Sequence, residues 1–146
     1  MCLSIAMGIM VTACLVGPPV SAQEPGMVKP DLVLTQIVEG MPIGAKQQVR
    51  VITATFQLGD RTLFHTHRWP VTVYVLEGAF TLDMDGHDPV TVRAGEAMVE
   101  PPDVKMTGYN RSATEKLRAA IFYVSDPETP FLDPSPSSGS PVAARP

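Results

Sequence analysis

The sequence predicts an all-β protein, built as an antiparallel sandwich or barrel. Three observations predict it. The chain after residue 30 is a succession of short runs rich in Val, Ile, Thr, Tyr and Phe. Gly, Pro and Asp turn signals punctuate those runs at close spacing. No stretch carries a convincing helical period.

Residues 23–30 read as an irregular lead. Residues 31–39, with Leu32, Leu34, Ile37 and Val38, are expected as a first strand, stopped by Gly40-Met41-Pro42. Residues 47–58 alternate through Val49, Val51, Thr53 and Thr55, the pattern of a strand with one face set apart from the other. Gly59-Asp60 turns the chain, residues 63–67 form a short strand, and Arg68-Trp69-Pro70 breaks it. Residues 71–76 and 79–83 are expected as a hairpin about Glu77-Gly78, followed by a tight turn at Asp85-Gly86. Residues 90–93 and 97–100 flank the turn Ala94-Gly95. Pro101-Pro102-Asp103 forces an extended bend, and residues 104–108 and 117–125 complete the set. From 126 to 146 the chain is Pro- and Ser-rich and reads as a disordered tail after a short β-addition around Phe131-Leu132.

With 146 residues, one domain is expected, 31–125. A net charge of −4 leaves no basic stripe to meet phosphates and argues against nucleic acid. Residues 1–22 hold no Asp, Glu, Lys or Arg and are nearly continuous in apolar side chains from Leu3 to Val16. They are short for a bilayer span and end in Val20-Ser21-Ala22, which reads as a secretory signal cut after Ala22. Val11-Thr12-Ala13-Cys14 offers the alternative of a lipoprotein anchored through Cys14. The expected location is periplasmic or secreted, with no transmembrane span after cleavage. Both cysteines, Cys2 and Cys14, fall in this leader, so the processed chain is expected to have neither disulfides nor thiol chemistry.

The lead to chemistry is His65-Thr66-His67, two of only three histidines. Side chains two apart on a strand share a face, so both imidazoles can converge on one point. His87 lies in the polar turn around Asp85-Gly86 and is read as solvated. Trp69 is placed at a barrel mouth, Tyr74 out of phase with Val71, Val73 and Val75, and Arg61 and Arg68 beside the histidines as surface charge. Nothing resembles a nucleophile with its base, nor a phosphate loop.

These residues resemble a cupin over about 47–124. The family's first motif is Gly, five residues, His-x-His, three or four residues, Glu, six residues, Gly. Gly59, His65, His67 and Gly78 stand in those places, and Tyr74-Val75-Leu76-Glu77-Gly78 matches its usual text. The second motif is Gly, five residues, Pro-x-Gly, two residues, His, three residues, Asn. Gly95, Pro101 and Asn110 are in register. The resemblance implies a jelly-roll barrel, a homodimer, and a metal held by two His and a Glu from the first motif and a His from the second. Here the Glu place holds Val71 (Thr72 at the longer spacing), the second His place holds Met106, and Asp103 replaces a Gly.

His65 and His67 with Met106 would suit copper, since thioether sulfur is soft. A carboxylate from Glu100 or Asp103 would instead favour zinc or iron. If Met106 only fills the barrel, the interior is a small pocket lined by Val71, Val73, Trp69 and Thr72, with or without metal. The expected function is an exported module binding a small molecule or a transition metal. A metal-dependent oxidoreductase and a structural dimer with a vestigial pocket are the alternatives.

Overall fold

Nine strands follow one another among the described residues: β1 (Gln48–Phe56), β2 (His65–Thr66), β3 (Val71–Glu77), β4 (Ala79–Met84), β5 (Val90–Arg93), β6 (Ala97–Glu100), β7 (Met106–Tyr109), β8 (Leu117–Ser125) and β9 (Asp133–Pro134). The computed structural model describes residue 26 and residues 28–136. The chain divides into units 1–30 and 31–146, and all nine strands fall in the second. The expected leader, its two cysteines and residues 137–146 of the Pro-rich tail lie outside the described residues.

All pairings are antiparallel. One sheet runs β1-β8-β3-β6 and the other β5-β4-β7-β2-β9. The two close on a core of Val71, Val73, Val75, Phe80, Leu82 and Met106 with their neighbours. This is the jelly-roll barrel that the sequence implied.

Three expectations are corrected. Residues 31–39 form no strand. Leu34 and Val38 are half-buried and, with Met41, line a groove against Thr72, Val99, Phe122 and Val124 on the outside of the first sheet. The segment thus lies against a sheet face, where no ladder of unpaired N–H and C=O groups is on offer, and Leu32 and Ile37 remain exposed. Second, Gly78 is not a hairpin tip: β3 and β4 belong to different sheets. Gly78 is a corner, at φ +77° and so close to the chain that a Cβ would sit 2.5 Å from the Lys116 carbonyl oxygen. Third, the β-addition in the tail sits at Asp133–Pro134, just beyond Phe131-Leu132, and pairs with β2.

The alternation in β1 is real, yet Val49, Val51, Thr53 and Thr55 face out and Arg50, Ile52, Ala54 and Phe56 face in. Thr72, expected in the pocket, likewise faces out, between the buried Val71 and Val73. Tyr74 shares its side of the sheet. Strand period is two, so the face of one residue fixes the faces of all.

Asp103 explains the motif's usual glycine. It stands at φ +59°, a left-handed conformation that costs most side chains energy and Asp somewhat less. Asp103→Gly is expected to be tolerated and to stabilise the fold by up to ~1 kcal/mol, read as a raised midpoint in thermal melts. A lowered midpoint would contradict this.

Candidate functional site

The site begins with the backbone of β2. His65 is paired on both sides, with Met106 of β7 and with Pro134 of β9. His67 leaves the strand, and its carbonyl accepts a hydrogen bond from the Asp103 N–H at 2.8 Å. The two rings therefore enter the barrel from one wall and meet edge to face, centroids 4.7 Å apart. Both histidines are buried, with 4% and 1% of their surface exposed.

Each ring is fixed by its far nitrogen. Nδ1 of His65 donates to the Leu63 carbonyl at 2.7 Å, and Nδ1 of His67 donates to the Phe131 carbonyl at 2.6 Å. A carbonyl oxygen only accepts, so both protons of the neutral rings reside on Nδ1. Both Nε2 atoms are then bare lone pairs, and they face each other at 3.0 Å. Burial pushes the His65 pKa below the ordinary histidine value; the Leu63 bond opposes this, His67 adds to it, and Glu100 opposes it. His65 is accordingly held neutral.

Glu100 completes the group. Its Oε2 lies 3.2 Å from His67 Nε2, and the residue is 5% exposed. It ends β6, where Met98 and Glu100 face in and Ala97 and Val99 alternate with them. Its partner across the ladder is Val71, the residue occupying the motif's Glu place. The carboxylate missing from β3 is thus supplied by the adjoining position on β6.

With both rings neutral these tips are all acceptors, whereas a proton on His67 Nε2 would be donated to Glu100 or His65. Like poles at 3.0 and 3.2 Å repel unless a proton or a metal ion lies between them. The spacings match adjacent donors about an ion with bonds of ~2.1 Å, which are roughly 3.0–3.4 Å apart. The donors form a chain through His67 rather than a closed cage. Among the described residues, no group of three or more His, Cys, Asp or Glu is arranged to hold a metal ion.

The cavity beside these tips measures about 50 Å³ and is lined by His65, His67, Glu100, Phe80, Phe131 and Leu132, among others. Of the residues expected around it, Val73 lines it, whereas Val71 is buried without reaching it and Trp69 packs at the edge of the core with its indole N–H unpartnered. Met106 is fully buried opposite His65 but does not line the cavity either. Asp103 is not part of the group. His87 is exposed in its turn. The pairing of Glu100 with Val71 and the Phe131 carbonyl were not visible in the sequence. The inward phase of Met98 and Glu100 was the available signal for the first.

A small barrel of two antiparallel sheets with a buried imidazole pair at one end defines a class, and the comparisons give it a family. Residues 52–123 match the family model described as the cupin domain. The chain belongs to the cupin family. Among solved structures it is similar to a cupin-like protein from Thermotoga maritima, at 23% identity and TM-score 0.46 over 53% of this chain and 56% of that one. It is similar to an RmlC-like cupin from Shewanella frigidimarina, at 21% identity and TM-score 0.47 over 62% and 86%. A third similarity is to the DMSP lyase DddQ from Ruegeria pomeroyi, at 17% identity and TM-score 0.54 over 73% and 62%. The chain thus spans less than two thirds of the first and third of these proteins. No curated protein matches.

Proposed function

We propose that this cupin holds one transition-metal ion through His65, His67 and Glu100 and presents it to a small ligand inside the barrel. The observation that carries the reading is the meeting of two lone-pair nitrogens and a carboxylate, all buried, with their protons committed elsewhere. Two imidazoles and one carboxylate favour zinc or ferrous iron. Such an ion supplies Lewis acidity or redox chemistry; the residues supply orientation, through the Leu63 and Phe131 carbonyls. Copper remains the choice if Met106 turns its sulfur to the ion. Export through residues 1–22 and a periplasmic or secreted location belong to the same proposal.

The outer face of the first sheet supports a homodimer as part of it. Val49, Val51, Leu76 and Phe122 are exposed there. Among the described residues, Arg118 and Glu77 are the charges on that face, and they are cross-strand partners at one end. An apolar sheet face of this kind is commonly an interface.

The test is elemental analysis of the full chain purified without chelator, alongside a His65→Ala, His67→Ala variant. About one equivalent of zinc or iron in the wild type, lost in the variant, is expected. Metal retained by the variant, or none in the wild type, overturns the proposal. Copper at one equivalent would bring Met106 into the ligand set. Light scattering on the same column reads the dimer.

A further inference from the structure

The chain's own C-terminal segment covers one side of the centre. After β8, residues 126–129 make a turn closed by Thr129 N–H to the Asp126 carbonyl, with Glu128 at φ +67°. Phe131 then lies against the barrel end, its ring 5.0 Å from that of His67 and 5.6 Å from that of Tyr123. Phe131 and Leu132 line the cavity, β9 pairs with β2, and the Ser135 N–H reaches the Phe64 carbonyl at 2.9 Å.

What remains inside is too small for a substrate. A cavity of about 50 Å³ takes one or two waters, at ~30 Å³ each, whereas sites for organic ligands span roughly 300–1,000 Å³. Anything larger than a few atoms needs the segment to move.

Its attachment is slight. β9 has two residues and is an edge strand bonded to β2 alone. Outside the ladder, it is held by His67 Nδ1 donating to the Phe131 carbonyl at 2.6 Å, by the Ser135 N–H on Phe64, by Arg50 donating to the Thr129 carbonyl at 2.7 Å, and by an exposed two-pronged pair, Arg68 to Asp133, at 2.8 and 3.2 Å. The Arg68 guanidinium holds the Asp133 carboxyl below the usual carboxylate range. Segments with few buried contacts and solvent-facing bonds open locally at far lower cost than the core.

We propose that residues 129–135 are a removable strap over the His65–His67–Glu100 centre, latched by Arg68 and Asp133, and that organic ligands enter only when it lifts. Lifting withdraws the Phe131 carbonyl from His67 Nδ1 and the Phe131 ring from the cavity together. Access and the orientation of His67 are thereby coupled. The inference rests on the proposed site for what is admitted, but its test reads the strap alone.

The test is the rate at which diethyl pyrocarbonate acylates each histidine in the chelator-treated full chain, followed by peptide mass spectrometry. Exposed His87 is the internal reference. Arg68→Ala and Asp133→Ala are expected to speed modification of His65 and His67 by up to about five-fold, the scale of an exposed ion pair. The exchange Arg68→Asp with Asp133→Arg should restore the slow rate. Thr66 and Asp133 are cross-strand partners, so cysteines there can be bridged. With Cys2 and Cys14 changed to serine, oxidation of Thr66→Cys/Asp133→Cys should slow both histidines at least ten-fold, and reduction should reverse it. Rates at His65 and His67 that ignore the bridge overturn the strap. Absence of bound metal would overturn the proposed function and leave these rates as they are.

Discussion

Glu100→Gln is expected to lower zinc affinity by at least ~100-fold, the upper end of what removal of mere supporting groups costs at metal sites. The glutamine keeps the shape and one oxygen but removes the buried negative charge 3.2 Å from His67 Nε2. The measurement is competition against a chromophoric chelator. Because Val71 and Glu100 are direct partners across the β3–β6 ladder, Val71→Glu combined with Glu100→Val should recover part of the lost affinity. Their Cβ atoms are expected ~4.5–5.5 Å apart, within the sweep of one glutamate side chain. Unchanged affinity in Glu100→Gln would remove the carboxylate from the site and return the balance to Met106.

Asn110→Ala should destabilise the fold by about 3 kcal/mol. Asn110 is 1% exposed. Its amide donates to the carbonyls of Gln57 at 3.0 Å and Glu115 at 2.9 Å, with Phe56 at 3.3 Å, and its oxygen accepts from the Ser112 N–H at 3.1 Å. It ties the end of β1 to the loop before β8, and alanine would lose all of these bonds, at ~0.5–1.5 kcal/mol each. The expected fall in melting temperature is about 10 °C or more. Asn110→Asp keeps the acceptor and loses the donors, so it should not rescue. A fall of under about 2 °C would show the loop to be independent of this side chain. The motif's Asn is thus structural here, away from the cavity.

Periodicity carried most of the architecture. β5, β6 and β8 fall at the residues that β-branched runs and turns mark out, 90–93, 97–100 and 117–125. Period does not say which sheet a strand joins, and so a Gly-containing turn at Gly78 looked like a hairpin although it is a corner. Nor does it say which face is inside when both are apolar. In β1 the β-branched face lies outside, beneath no core, while Arg50 and Phe56 point in. The segment 31–39 has strand-like composition, but a strand exists only where a partner edge is free. The histidine pair was legible because its spacing is local. Its two completing contacts were not: Val71 meets Glu100 across a ladder, and His67 meets Phe131 across 64 residues. Only closure of the barrel brings those together.

The placement of Glu100 immediately ahead of Pro101-Pro102 also bears on how faithfully the site assembles. Sliding β6 by one residue would swing the carboxylate to the solvent side and leave the imidazoles facing a hydrocarbon. Two consecutive prolines have no N–H to give a ladder, so they disfavour a slip that would draw them into register with β3. Register and interior charge are therefore tied together at this strand end.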